Sequence, residues 1–416
     1  MEQKKYSLFN LAVIVGALGY FVDVYDLLLF SIIRIPSLKS LGLSPDQADQ
    51  EGLKIISIQM LGLLAGGILW GVLGDKKGRL KVLFASIILY SLGSIANGFV
   101  HTVDQYAAVR FITGLGLAGE LGAGITLVSE LLPKERRGIA TSFVAGIGLS
   151  GAVFAYFIRV QFVAANGDGW RTCYFIGGGL GFLLLLLRVG VLESGMFNSI
   201  KDANVRKGNF LMLFTNGRRL KKYLTAILIA LPNWYVIGIL ISFSNKFAAK
   251  MEVKGTIDPG KAIMFAYAAI SVGDILIGFV SQWLKSRKKA LWVFHIITAI
   301  SIVWYFNLQG QTAGTMYLVC VFLGFGTGFW AIFVTMAAEQ FGTNIRATVA
   351  TTVPNMARGS LYLVSMLFVN LQGWLAPSTA YFKSGWITGI VVFFIASVSL
   401  ILTEETFGKD LNYIEP

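Results

Sequence analysis

The sequence predicts an all-α membrane protein with twelve transmembrane helices in two pseudo-symmetric six-helix bundles. Three observations carry this. Only 14% of the 416 residues are charged, against about 25% in soluble proteins, too few to cover a soluble surface of this size. Twelve segments are apolar enough to cross a hydrocarbon layer about 30 Å thick, which takes about 20 helical residues. The basic residues fall in alternate loops, the pattern that keeps Lys and Arg on the cytoplasmic side of a membrane.

The expected spans are residues 8–34, 53–74, 80–100, 105–131, 138–163 and 172–192, then 222–249, 260–284, 289–307, 314–338, 346–371 and 381–402. The first is longer than a signal-peptide h-region, is followed by no small-residue cleavage site and carries Asp23 and Asp26, so it reads as a retained helix. Glycines recur inside the spans, where they let helices pack closely in lipid. One set of loops holds Lys76, Lys77, Arg79, Lys81, Lys134, Arg136, Arg137, Arg218, Arg219, Lys221, Lys222, Arg287 and Lys288. The opposite set holds Lys39, Arg171, Lys250, Lys254, Lys261 and Lys383. Both termini are therefore expected in the cytoplasm. The net charge of +13 is a topology signal, with the lipid bilayer and not nucleic acid as the partner. The chain is expected to act as a monomer.

A polar stretch, 193–221, separates an N-terminal bundle (1–192) from a C-terminal bundle (222–416) with a short cytoplasmic tail. The halves repeat. GGILWGVLGDKKGRLKVLF from Gly66 aligns with GDILIGFVSQWLKSRKKAL from Gly273, and Glu130 and Arg137 align with Glu339 and Arg346 at the same separation. Repeats of this kind rock against each other around a site near the midplane, giving alternating access.

Charged side chains inside spans are costly, face the interior and mark transport pathways. Along the chain, Asp23 and Asp26 share one face of the first span at i, i+3. Arg110 reaches a comparable depth on the fourth span and can pair with either. Glu120 lies deeper, near the midplane at 1.5 Å per residue. These four form the candidate proton-coupling set, with permanent structural ion pairs as the alternative reading. Gly114, Gly116 and Gly119 spell G-x-G-x-x-G but lie in a span, without the strand and downstream acid of a dinucleotide site, so they read as helix packing. After Pro232, which is placed to bend the seventh span, Asn233, Trp234 and Tyr235 are candidate lining residues. Arg358 sits in the middle of the eleventh span with Asn355 and Tyr362 on its face. Its planar fork suits a carboxylate or phosphate, and a structural pair with Asp274 is the competing reading. Arg159, Arg188 and Lys246 lie near span ends and are expected to snorkel.

Between the second and third spans, GVLGDKKGRLK (Gly71–Lys81) resembles the loop signature of the major facilitator superfamily. Gly71 permits close helix approach and Gly78 a tight turn. Asp75 can pair with basic groups or a helix N-terminus across the half interface, which would stabilise one conformational state. Arg79 of the same signature is read with them as a gating residue. RFITGLGLAGELGAGITLVSELLPKERRG (Arg110–Gly138), YFVDVYDLLLF (Tyr20–Phe30) and LRVGVLESGMF (Leu187–Phe197) are similar to the metabolite:proton and phosphate:proton symporters. In the last of these Gly195 replaces the usual Pro. RATVATTVPNMARGS (Arg346–Ser360) is similar to the same group and to organic ion transporters, and EETFGKDLNYIE is sugar-porter-like. Glu130, Arg137, Glu339 and Arg346 are read as gate pairs between the halves.

The resemblance implies a secondary transporter that symports a proton with a small polar metabolite, an organic anion being the expected cargo. A proton-driven exporter, an uncoupled facilitator or a non-transporting sensor of the same fold are the alternatives. The proton gradient is the driving force and no cofactor is expected. Cys173 and Cys320 lie in apolar stretches, His101 and His295 are far apart, and no G-x-x-x-x-G-K-[ST] occurs, so disulfide framework, metal cluster and intrinsic ATPase are excluded. An enzyme is not expected. The absence of an N-x-[ST] sequon fits a bacterial inner membrane.

Overall fold

The computed structural model describes residues 11–77, 79–120, 137–163, 168–193, 210–342 and 344–409. Its N-terminal half comprises α1 (Leu11–Ser40), α2 (Pro45–Lys77), α3 (Arg79–Asn97), α4 (Val103–Leu117), α5 (Arg137–Leu149), α6 (Gly151–Phe162) and α7 (Trp170–Glu193). The C-terminal half comprises α8 (Gly217–Ile229), α9 (Leu231–Tyr235), a π-turn (Val236–Ile241) and α10 (Ser244–Lys250). It continues with α11 (Pro259–Trp283), α12 (Arg287–Tyr305), α13 (Ala313–Thr327), α14 (Trp330–Glu339), α15 (Arg346–Trp374) and α16 (Ala380–Leu402). Every expected span coincides with one helix or with a broken one, the fourth being described as far as Glu120. Among the described residues, 8 helical stretches are long and apolar enough to cross a membrane.

Local signals explain the ends. Thr102, Asn216, Asp258, Ser286 and Thr312 accept from backbone N–H groups of the first turn of α4, α8, α11, α12 and α13, the usual N-cap arrangement. α8 begins at Gly217, earlier than the span expected from 222, because Asn216 caps it there. α1 and α2 run beyond their expected ends. Ser37 and Leu38 are fully buried there, so protein packing, not lipid, supports the extension. Among the described residues, breaks fall in the fifth span at Ser150, in the seventh before Pro232 and in the tenth at Gly328–Phe329. Pro232 has no N–H to continue the ladder, and the π-turn follows the short α9 it opens.

The sequence repeat is visible in the packing. A Cβ at Gly66 would lie 2.3 Å from the Leu115 carbonyl oxygen, and at Gly114 2.3 Å from that of Gln59, so α2 and α4 touch backbone to backbone. In the other half, Gly273 meets the Phe325 oxygen at 2.7 Å and Gly324 the Ala266 oxygen at 2.2 Å. Gly116 and Gly119 face Tyr90 and Ser86 of α3, so the G-x-G-x-x-G run is a packing surface. Large apolar residues such as Leu186, Phe279 and Phe394 are exposed on the outside, as lipid-facing residues are. Among the described residues Trp283 and Trp374, at helix ends, are the most exposed of the large apolar side chains, where interfacial belts form.

Candidate functional site

The seam between the halves brings α1 and α2 against α11 and α15. A Cβ at Gly67 would sit 2.7 Å from Cβ of Asn355, and at Gly71 3.2 Å from Thr352, so Gly71 allows the close approach expected of it. Asn355 donates to the Ala118 carbonyl at 2.8 Å across the seam and accepts from Arg358 at 3.4 Å.

A small cavity opens at this seam, lined by Tyr20, Val24, Leu27 and Leu149 from one half and Asn233, Trp234, Ile237, Tyr267, Ile270, Trp330 and Arg358 from the other. Its free volume is about 20 Å³, room for little more than a water-sized body. Arg358 is almost fully buried, its Cζ 5.6 Å from the centre of the Trp330 ring. Trp330 meets Trp234 edge to face at 6.3 Å. Across the seam, Asp23 Oδ2 lies 4.0 Å from Arg358 Nη1. Asp23 is fully buried, and among the described residues no group donates a hydrogen bond to either of its oxygens.

The other intramembrane acids are differently placed. Asp26 accepts from Ser94 Oγ at 2.8 Å and lies 3.6 Å from Arg110 Nη1. Arg110 also donates to the Asp26 carbonyl at 2.9 Å and to Gln59 at 3.3 Å. Of the two aspartates open to it, Arg110 therefore takes Asp26. Glu120 forms an ion pair with Arg188, the two seated over Gly19, where a Cβ would collide with both. This corrects the expectation that Arg188 snorkels. It is buried because the bare backbone at Gly19 leaves room for its head beside a carboxylate.

Asp274 does not pair with Arg358. Its Oδ1 accepts from the Ala331 N–H at 2.9 Å, capping α14 where the tenth span restarts and fixing the turn that carries Trp330. Asn233 and Trp234 line the cavity as expected. Tyr235 points elsewhere, donating to the Gly385 carbonyl of α16 at 2.6 Å. Tyr362 is half-buried and outside the cavity lining, one turn too far along α15.

The end of the bundle away from the basic loops is closed by ion pairs between halves. Arg159 meets Asp258 at 2.5 Å, and Lys246 lies 3.7 Å from both Asp46 and Asp49. Neither Arg159 nor Lys246 snorkels alone. Arg34 pairs with Asp49 at 3.0 Å and stacks 4.0 Å from the centre of the Phe243 ring. At the basic end, Glu339 binds Arg287 at 3.3 Å and accepts from Thr406 at 2.7 Å, contacts within its own half. Arg346 donates to the Phe341 carbonyl at 3.0 and 3.2 Å. Gly78, Glu130 and the side chains of Asp75, Arg79 and Arg137 lie outside the described residues.

Sequence reasoning missed Tyr20, Tyr267 and Trp330 as cavity walls, since aromatic residues are common throughout these spans. The break at Gly328 beside Trp330 was the available signal.

Comparison with known proteins identifies the family and the fold. The niacin transporter NiaP of Acinetobacter baylyi is 26% identical, covering 98% of this chain and 96% of its own length. The gentisate transporter of Corynebacterium glutamicum is 24% identical, covering 81% and 75%. The solved structure of the proton:xylose symporter XylE bound to 6-bromo-6-deoxy-D-glucose superposes with a TM-score of 0.74 at 18% identity, covering 96% of this chain and 97% of that one. The sequence profile of the Major Facilitator Superfamily matches residues 16–366. With two pseudo-symmetric helical halves around a seam cavity, the chain belongs to the Major Facilitator Superfamily and is a multi-pass membrane transporter, not an enzyme.

Proposed function

We propose that the protein symports a proton with a small planar organic anion, an aromatic monocarboxylate. The observation that carries this is Arg358 at the seam, between the rings of Trp330, Trp234, Tyr20 and Tyr267 and opposite Asp23. Guanidinium suits bidentate capture of a carboxylate, and the rings supply flat apolar walls. Relatives named for niacin and gentisate carry cargo of this chemistry.

Coupling follows from charge. Arg358 serves Asp23 when the site holds no cargo. A bound carboxylate takes over the guanidinium, and Asp23, left without its counter-charge in a dry seam, takes up a proton. Each state then keeps one net negative group beside one arginine. Asp26 and Glu120 already have Arg110 and Arg188, so Asp23 is the coupling carboxylate in this reading and the other two pairs are structural. With both termini cytoplasmic, the closed end described above faces outside, and alternating access breaks its ion pairs and separates the halves there.

Uptake of labelled benzoate and nicotinate into proteoliposomes tests this. Accumulation above equilibrium is expected with an inward proton gradient and absent without one. Equilibration at the same rate in both conditions identifies an uncoupled facilitator instead.

A further inference from the structure

At the basic end of the C-terminal half, α8, the C-terminal edge of α14 and the end of α16 enclose a cavity of about 400 Å³, within the range of small-molecule sites. Arg218, Lys221, Lys222 and Thr225 line it, and their i, i+3, i+4, i+7 spacing puts all four on one face of α8. The opposite wall holds Leu402 and Glu404. Glu404 is shared by Lys222 at 3.7 Å and Lys409 at 3.9 Å. Among the described residues Glu404 is the acid lining the pocket, and its ion-pair contacts go to Lys222 and Lys409, not to Arg218 or Lys221. The pocket thus keeps two uncompensated cations.

Its surroundings are apolar and exposed. Leu224 on α8 and Ile401 and Leu402 at the end of α16 all face outward. A phosphodiester in the pocket therefore has exposed hydrocarbon beside it, running toward the bilayer core. A freely soluble anion uses the cations but not this wall. We propose that the pocket binds the headgroup of an anionic phospholipid of the cytoplasmic leaflet, with its acyl chains against Leu224, Ile401 and Leu402. Basic pockets between helices on that side of a membrane suit such headgroups. The lipid bridges the start of the seventh span to the end of the twelfth, two elements that pack directly against each other and are linked at this end by the Lys222–Glu404 ion pair.

The test is native mass spectrometry of the full chain in detergent, titrated with dioleoyl phosphatidylglycerol or dioleoyl phosphatidylcholine. Saturable binding of the first and none of the second is expected. Arg218→Gln with Lys221→Gln is expected to weaken it about 30-fold, two charges at the membrane surface. Lys285→Gln with Lys289→Gln removes the same charge from exposed positions elsewhere on the basic end and is expected to leave binding unchanged. Equal losses in the two double variants, or equal binding of both lipids, overturn the proposal. Displacement of phosphatidylglycerol by millimolar inorganic phosphate also overturns it, identifying a soluble-anion site. All four substituted residues are exposed or at a helix surface, and a thermal melt of each variant confirms folding.

Discussion

Asp23 and Arg358 face each other across the two halves at 4.0 Å, an acid from α1 and a base from α15 held together by no hydrogen bond. Among the described residues, every other buried acid of the N-terminal half has at least one donor or a closer base. The pair is therefore the easiest in the membrane interior for a third charged group to enter.

Asp23→Asn is expected to abolish gradient-driven accumulation while sparing counterflow exchange of labelled for unlabelled cargo. The amide keeps the shape and removes the titrating group. Accumulation that persists in this variant sinks the coupling role.

Arg358→Lys keeps the charge but loses the planar fork, and Arg358→Ala loses both. Losing a charge-assisted hydrogen bond costs about 1.5–3 kcal/mol, or roughly 10- to 150-fold in affinity. Binding measured by tryptophan quenching is expected to fall in the order wild type, Lys, Ala. Unchanged affinity in the alanine variant removes this residue from the site.

For Asp26 the forecast is one of stability. Neutralising it leaves Arg110 buried without its acid, which costs about 3–5 kcal/mol. Asp26→Asn should lower the melting temperature markedly, and adding Arg110→Gln should restore part of it. A variant that melts normally but no longer accumulates cargo moves the coupling role from Asp23 to Asp26.

Glu405, past the end of the last span, caps α12 from the tail. Burial alone raises its carboxyl, but the Ser286 hydroxyl and the N–H groups of Phe407, Arg287 and Lys288 donate to it and hold it below the ordinary value of 4.5. A depressed acid contributes stability that is complete above its unfolded value and is lost as pH falls through the folded one. Melting temperature should therefore drop on acidification below about pH 4.5, and less steeply in Glu405→Gln. Parallel curves for the two proteins refute the cap.

The Arg159–Asp258 pair is part-exposed, with side-chain exposures of 19% and 33%, so it holds its end shut by no more than about 1 kcal/mol. Asp258→Asn should raise the open-outward population by up to about 5-fold. The readout is alkylation of a cysteine placed on the cavity wall by a membrane-impermeant reagent. An unchanged labelling rate means that the Lys246 and Arg34 contacts carry the closure alone.

The spans, the repeat and the burial of Asp23, Asp26, Arg110, Glu120 and Arg358 were legible because an ionisable residue in an apolar run has one strong explanation. Their partners were not. Whether Arg110 meets Asp23 or Asp26 depends on a rotation of α1 that the pattern of hydrophobicity leaves open. Arg188 looked like a span-end residue because its access to Glu120 depends on Gly19, on a different helix. Asp274 looked like a counter-ion because the break at Gly328, which supplies the N–H it binds, is marked only by a glycine among many. Tyr235 was grouped with its neighbours Asn233 and Trp234 after Pro232, but it points to the Gly385 carbonyl of α16. Tyr362 followed helical spacing from Arg358, and the height of the cavity decided otherwise.

The contracted seam cavity bears on how affinity is to be read. A cargo molecule does not fit a space of about 20 Å³, so it binds only those copies whose halves have already parted. The measured dissociation constant is then the intrinsic one divided by the fraction parted. A conformation-specific antibody fragment that wedges the outer end apart should tighten cargo binding without touching Arg358, by as much as it raises that fraction.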